Sequence, residues 1–167
     1  WLGLAFPSSL PVRVTLVQNE PVYRAYEARA IGATGHSLGF FVGGANQVVI
    51  WRGGQADLGM RQTLVHEASH YLLSVAGVGR VPLWLNEGLA EVFEGARSDG
   101  NAVWLDADPA RVAYLRSRPL PSASALVGGS PAWWKELGPT PWSKAEYPYG
   151  GGLCSLLLAT DPGRRTL

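Results

Sequence analysis

The chain has 167 residues, of which 47% are hydrophobic and 16% charged, and its formal net charge is +1. That length suits a single domain, residues 1–167, with a sizeable core. Near-neutral charge without a basic run interleaved by aromatics excludes nucleic acid as a partner, and no apolar run is long enough to cross a bilayer.

In chain order, Val12 to Val17 alternates like a strand and Glu20 to Ala30 reads as a helix. His36 lies in the glycine-rich loop Gly32 to Gly39, where a surface role is the commoner one. Gly39 to Val42 and Val48 to Trp51 read as strands joined by a Gly-Gly-Ala-Asn turn. Around residues 60 to 76, Leu64, Val65, Ala68, Leu72, Val75 and Ala76 recur at helical spacings. Asp57 and Gly59 are start signals for this helix, and Gly77 and Gly79 its stop. It is apolar nearly all round, so burial is expected. A second helix follows Pro82, whose missing N–H suits a first turn. Ala102 to Leu105 reads as a short strand and Asp108 to Arg116 as a short helix. Pro119 to Pro141 is a loop region with a turn or two of helix, and Leu153 to Thr160 is a last helix ended by Asp161-Pro162-Gly163. Cys154, the sole cysteine, excludes an internal disulfide and reads as packing rather than as a nucleophile. The chain begins at Trp1 and stops at Arg164-Arg165-Thr166-Leu167, so a processed or cropped chain is expected. Strands first and helices afterwards argue an α+β fold, with a small sheet whose edge borders the third helical segment's predecessor at residues 60 to 76.

That helix carries His66-Glu67-Ala68-Ser69-His70, the H-E-x-x-H pattern of zinc metalloproteases. Residues four apart project from nearly the same helix face, so His66 and His70 can reach one point in space. Two converging imidazoles suit a borderline cation such as Zn2+. Glu67 stands between them, placed to take a proton from a metal-bound water. A catalytic zinc needs a third protein ligand and an open position. The extension with glycine three and histidine six residues after the second ligand is absent, because Leu73 and Ala76 stand there. Downstream, Glu87, Glu91 and Glu94 form a stripe at spacings of four and three. Glu94 reads as a solvated charge. Glu87 and Glu91 lie among Trp84, Leu85, Leu89 and Val92, where a carboxylate needs a reason to be.

His-Glu-x-x-His followed by Trp84-Leu85-Asn86-Glu87-Gly88-Leu89-Ala90 resembles the gluzincins: thermolysin, aminopeptidase N and the bacterial peptidase-MA-like domains, the last most closely. The resemblance implies a zincin-like fold, with a small mixed sheet, an active-site helix carrying the motif, and a mainly helical C-terminal part. It implies Glu87 as third zinc ligand and Glu91 as the carboxylate that orients a ligand histidine. Sixteen residues, 71 to 86, separate His70 from Glu87, slightly fewer than in thermolysin or aminopeptidase N, and Gly77-Val78-Gly79 suits a tight connection. Pro148-Tyr149-Gly150-Gly151-Gly152 is similar to the Pro-Tyr-x-x-Gly run of aminopeptidase N relatives, which implies Tyr149 as the oxyanion donor, with Tyr147 as alternative. The Gly-Ala-Met-Glu-Asn segment of true aminopeptidases is missing; Gly43 to Gln47 stands in the comparable place. In gluzincins an edge strand receives the substrate backbone, and Phe40 to Trp51 is the region for that. The resemblance also favours a secreted or cell-envelope location.

Together these residues predict a zinc-dependent peptidase acting on a peptide or protein substrate, with Glu67 as general base. The alternative is a non-catalytic metal-binding or peptide-binding domain that keeps the fold. Glu67 separates the two, because a structural site prefers four protein ligands and needs no adjacent base.

Overall fold

A computed structural model of the chain describes residues 9, 11–32, 37–53, 55–76, 81–105, 108–117, 122–128 and 146–160. They form a mixed α+β architecture in two compact units, one within residues 5–79 and one within residues 80–167. No helix among the described residues is long and apolar enough to cross a membrane.

The first unit is a three-stranded sheet with a helix on each face. Strand β1 (Arg13–Val17) leads into helix α1 (Glu20–Ile31), then β2 (Gly39–Val42), β3 (Gln47–Trp51) and helix α2 (Asp57–Val75). Asn19 caps α1 by accepting from the Val22 N–H at 3.1 Å, and Gly32 ends it in the left-handed region at φ 67°. The strand order is β1-β3-β2, with β1 parallel to β3 and β2 antiparallel to it. A 3-10 turn at Gly43–Ala45 joins β2 to β3, closed by Asn46 at φ 45°, a conformation that asparagine tolerates better than most residues.

Alternation assigns the faces. Val17, Phe40, Val42, Val49 and Trp51 pack against Tyr23, Tyr26 and Ala30 of α1. The opposite face, with Phe41, Val48 and Ile50, receives α2, which packs on β2 and β3. The Phe41 and Tyr71 rings meet there edge-on with centroids 5.9 Å apart. Because β3 is covered on both faces and paired on both sides, Val48, Val49 and Ile50 are fully buried. This corrects one expectation: of the Phe40 to Trp51 region, Val48 to Trp51 is the sheet's centre and has no edge to offer, whereas β2 lies at an edge. The expected burial of the motif helix all round is also corrected. His66, Ser69, Tyr71 and Leu73 are buried, while Leu72 and Ser74 face solvent, so α2 has a wet side.

The second unit begins with helix α3 (Leu83–Glu94) and a hairpin of β4 (Ala96–Ser98) and β5 (Val103–Leu105). It continues through helices α4 (Pro109–Arg116), α5 (Ala123–Gly128) and α6 (Glu146–Ala159). Pro82 stands at the N-cap of α3, one place before the first turn expected for it, and its carbonyl accepts from Leu85 and Asn86 N–H at 3.0 and 2.9 Å. Strand β4 was not anticipated; its signal was the Asp99-Gly100 turn. The Asp99 carboxylate accepts from the Asn101 and Ala102 N–H groups at 2.9 Å each, and Gly100 takes φ 91°. Helix α6 starts at Glu146, earlier than the expected Leu153, so the whole Tyr-Gly-Gly-Gly run is helical.

Three consecutive glycines in a helix cost roughly 1 kcal/mol each relative to alanine. Their φ angles are not positive, so conformational freedom is not the reason for them. Space is. A Cβ on Gly150 would lie 2.5 Å from the Trp84 carbonyl oxygen, and one on Gly88 would lie 2.5 Å from the Gly150 carbonyl carbon and oxygen. Helices α3 and α6 therefore meet backbone to backbone, with Gly151 against Glu91 and Gly152 against Leu115 of α4. Since backbone cannot rotate aside, Gly88→Ala and Gly150→Ala should each destabilise this unit by at least about 1–3 kcal/mol, measured by urea unfolding. Alanine at exposed Gly44, whose Cβ would meet open space, should have a much smaller effect.

Candidate metal centre and its surroundings

Helix α2 presents His66, Glu67 and His70 as the periodicity requires. The His66 and His70 ring centroids lie 5.1 Å apart with their planes at 81°, one turn after another on the same side. His66 is buried and His70 half-buried. Ser69, also buried, donates its hydroxyl to the His66 carbonyl at 2.7 Å, which uses the serine's polarity within the helix. Glu67 is half-buried, less enclosed than an all-round buried helix implies. Its side chain runs beneath the start of β2: a Cβ on Gly39 would lie 3.0 Å from Glu67 Cγ, 2.7 Å from Thr63 Cγ2 and 2.8 Å from Ile50 Cδ1.

Beside this face lies a polar network that the sequence reading did not single out. Glu27 is almost fully buried, and Arg24 Nη1 donates to its Oε2 at 3.1 Å and to the Ser37 carbonyl at 2.9 Å. The Ser37 hydroxyl donates to Glu27 Oε1 and shares a 2.9 Å hydrogen bond with the Tyr23 hydroxyl. The Arg24 guanidinium stands over the Tyr23 and Trp51 rings at 5.0 and 5.2 Å. Burial, first, pushes the Tyr23 hydroxyl up to about 12, and the charges of Glu27 and Glu67 act in the same direction. Arg24 and Glu27 stand three apart on α1, so their pairing was legible; the part played by Ser37 was not.

In the second unit, Glu87 is half-buried on α3 and Glu91 is buried. Glu91 forms a close ion pair with Arg111 of α4, Nε to Oε2 at 2.5 Å, and Arg111 Nη1 donates to the Glu91 carbonyl at 3.0 Å. Arg111 Nη2 also reaches Glu94 Oε1 at 3.4 Å. Glu94 is therefore not the solvated charge expected of it; its side chain is 21% exposed and paired. Arg111 lies 20 residues beyond Glu91, a separation that carries no local signal.

Tyr149 is buried in the first turns of α6, its ring against Tyr114 with centroids 6.4 Å apart, and Tyr147 is half-buried. The backbone contact of α3 with α6 falls one residue past Glu87 and one past Tyr149. Cys154 is fully buried in the same contact and burial pushes its thiol up to about 12, which fits packing rather than nucleophilic chemistry. His36 and the Gly77-Val78-Gly79 connection lie outside the described residues.

Histidine and glutamate groups able to hold a metal ion are present among the described residues, and they single out no particular metal. Two imidazoles on successive turns, with carboxylates as oxygen donors, are chemically suited to a borderline cation. No family model, curated protein or solved structure matches this chain.

Two outcomes test this description. Arg111→Met removes the arginine paired with the buried Glu91 carboxylate and should destabilise the protein by about 3–5 kcal/mol in urea unfolding. Adding Glu91→Gln to it should recover part of that loss. Cys154 should resist a disulfide reagent at pH 8 in the native protein and react fully in urea. Its folded pKa lies above the unfolded one, so the stability it contributes is complete below the unfolded value and fades as pH rises towards about 12.

Proposed function

We propose that the chain is a zinc-dependent peptidase of zincin-like fold. His66 and His70 hold the metal through imidazole nitrogens, Glu87 adds a carboxylate oxygen, and Glu67 is the general base. The observation that carries this reading is the His66–His70 pair, rings 5.1 Å apart on successive turns of α2 with Glu67 between them. Two histidines, one carboxylate and an adjacent base match a catalytic site better than a structural one, which closes its fourth position with protein.

Bound there, zinc supplies a Lewis acid that polarises the scissile carbonyl and makes water a stronger acid near neutral pH. Glu67 receives the proton of the attacking water and returns it to the leaving amine. The Tyr149 hydroxyl donates to the carbonyl oxygen as negative charge develops on it. Glu91 is assigned to the site's support: its bond to Arg111 holds a buried carboxylate in place, one helical turn beyond Glu87, where it would orient a ligand histidine by accepting its ring N–H. The substrate is a peptide or protein segment. β2, the strand beside α2 that lies at a sheet edge, is the element suited to receive it. A secreted or cell-envelope setting accompanies this reading on the strength of the gluzincin resemblance.

Substitutions should fail in different ways. Glu67→Gln should keep fold and zinc, read by mass spectrometry of the native protein, but lose about 10²–10⁴-fold in peptide hydrolysis. His66→Ala should lose the metal as well. Tyr149→Phe should keep metal and lower the turnover number by about 10²–10³. Glu67→Gln hydrolysing a peptide library as fast as the parent would refute the general-base role. A parent that binds zinc but cleaves nothing would favour the non-catalytic, metal-binding domain.

A further inference from the structure

We propose that the Tyr23–Ser37–Glu27–Arg24 network, acting through Gly39, is a positioning device for Glu67. It rests on the peptidase reading for its consequence in catalysis, though its geometry stands by itself.

Ser37 stands two residues before Gly39, just ahead of β2. Its hydroxyl is held by Glu27 and Tyr23, and its carbonyl by Arg24, so three side chains of α1 fix its position from one side. Glu27 in turn is held by Arg24, and Arg24 is braced by Glu20 at 3.3 Å and by the Tyr23 and Trp51 rings. The two groups that hold the Ser37 hydroxyl are enclosed: Tyr23 is fully buried and Glu27 nearly so. The strand they pin then passes over α2 so closely that Gly39 leaves no room for a methyl group above Glu67, Thr63 and Ile50. Thr63 is itself tied down, donating to the Gly59 carbonyl at 3.0 Å and to Gln55 Oε1 at 3.2 Å. Glu67 Cγ thus lies under the strand at Gly39, one turn after Thr63 on the same helix.

A general base works only when its oxygen stays within hydrogen-bond reach of the water it deprotonates. A long, half-exposed glutamate would spend much of its time elsewhere, and misplacement by about 1 Å can lower a rate by about 10²-fold. Confinement at Cγ removes the rotamers that lead away. The network's buried charges are an expensive way to hold a strand, since an apolar cluster of the same volume would stabilise the fold at least as well. Their directional bonds fix the register of Ser37, and through it that of Gly39, which apolar packing would leave looser.

The test uses the zinc-loaded full chain with Ser37→Ala, Ser37→Thr and Gly39→Ala. Tyr26→Phe serves as a control that loses a comparable hydrogen bond, to Gln47, on the same helix. Ser37→Ala and Gly39→Ala should keep stoichiometric zinc and a KM within about twofold of the parent, and should lower kcat by about 10–100-fold. Ser37→Thr, which restores the hydroxyl, should recover most of the rate, and Tyr26→Phe should leave it unchanged. Equal kcat in Ser37→Ala and the parent would overturn the proposal. A double-mutant cycle gives a readout free of activity: unfolding midpoints are measured for Ser37→Ala and Gly39→Ala, each with and without Glu67→Ala. The loss caused by each should shrink when Glu67 is already truncated, because the contact it disturbs is gone. Strictly additive losses would overturn the proposal even in an active protein. Non-additive losses in a parent that cleaves no peptide would sustain the positioning contact while refuting the peptidase.

Discussion

Helix α2 lies so near the sheet that only a glycine fits between β2 and Glu67, and the arrangement of the first unit follows from that constraint. The sheet must present Phe41, Val48 and Ile50 as a flat apolar surface, and α2 must turn His66, Ser69, Tyr71 and Leu73 inward to meet its surroundings. Because the helix repeats every 3.6 residues, once its orientation is set by that packing, the directions of His66, Glu67 and His70 are set with it. A site built on a helix clamped against a sheet is held more rigidly than one built on a loop. The price is Gly39, where any side chain would push strand and helix apart.

The second unit solves a related problem with a different device. Two helices joined backbone to backbone by Gly88 and Gly150 bring Glu87 and Tyr149 to neighbouring levels of the contact. Glycine is a poor helix former, and the Gly150-Gly151-Gly152 run accepts that penalty for closeness. Around it, Trp84, Leu89, Val92, Cys154 and Leu158 form the buried apolar surround. Arg111 then enters from α4 and pairs with two carboxylates of α3, closely with buried Glu91 and more loosely with Glu94.

Each unit buries a carboxylate against an arginine: Glu27 with Arg24 in one, Glu91 with Arg111 in the other. Such pairs are weak contributors to stability but strong determinants of geometry, because their bonds are directional and breaking them exposes an unpaired charge. That combination suits a scaffold whose side chains must hold one orientation. It also explains why Glu27, with no part in the proposed reaction, is among the most buried polar residues of the protein.

Much was legible in the amino-acid order, because local rules govern it. The strand–helix–strand–strand–helix sequence of the first unit and the four-residue spacing of His66 and His70 depend only on near neighbours and on helix and strand periods. Cys154 as a packing residue followed from its apolar neighbours. What tertiary structure alone decided is everything that joins distant residues. The strand order β1-β3-β2 made β3 the centre, and no pattern within Val48 to Trp51 distinguishes a central strand from a buried edge. The expected last helix begins at Leu153 and leaves out the glycines at 150 to 152, whose intrinsic propensity opposes helix; the α3 contact overrides that propensity. Glu94 read as a surface charge because its cation, Arg111, is 17 residues away in sequence and meets it only through the packing of the second unit. Gly39 read as one strand residue among others, since its reason lies in Thr63 and Glu67, on a helix that the chain reaches only after turning back across the sheet.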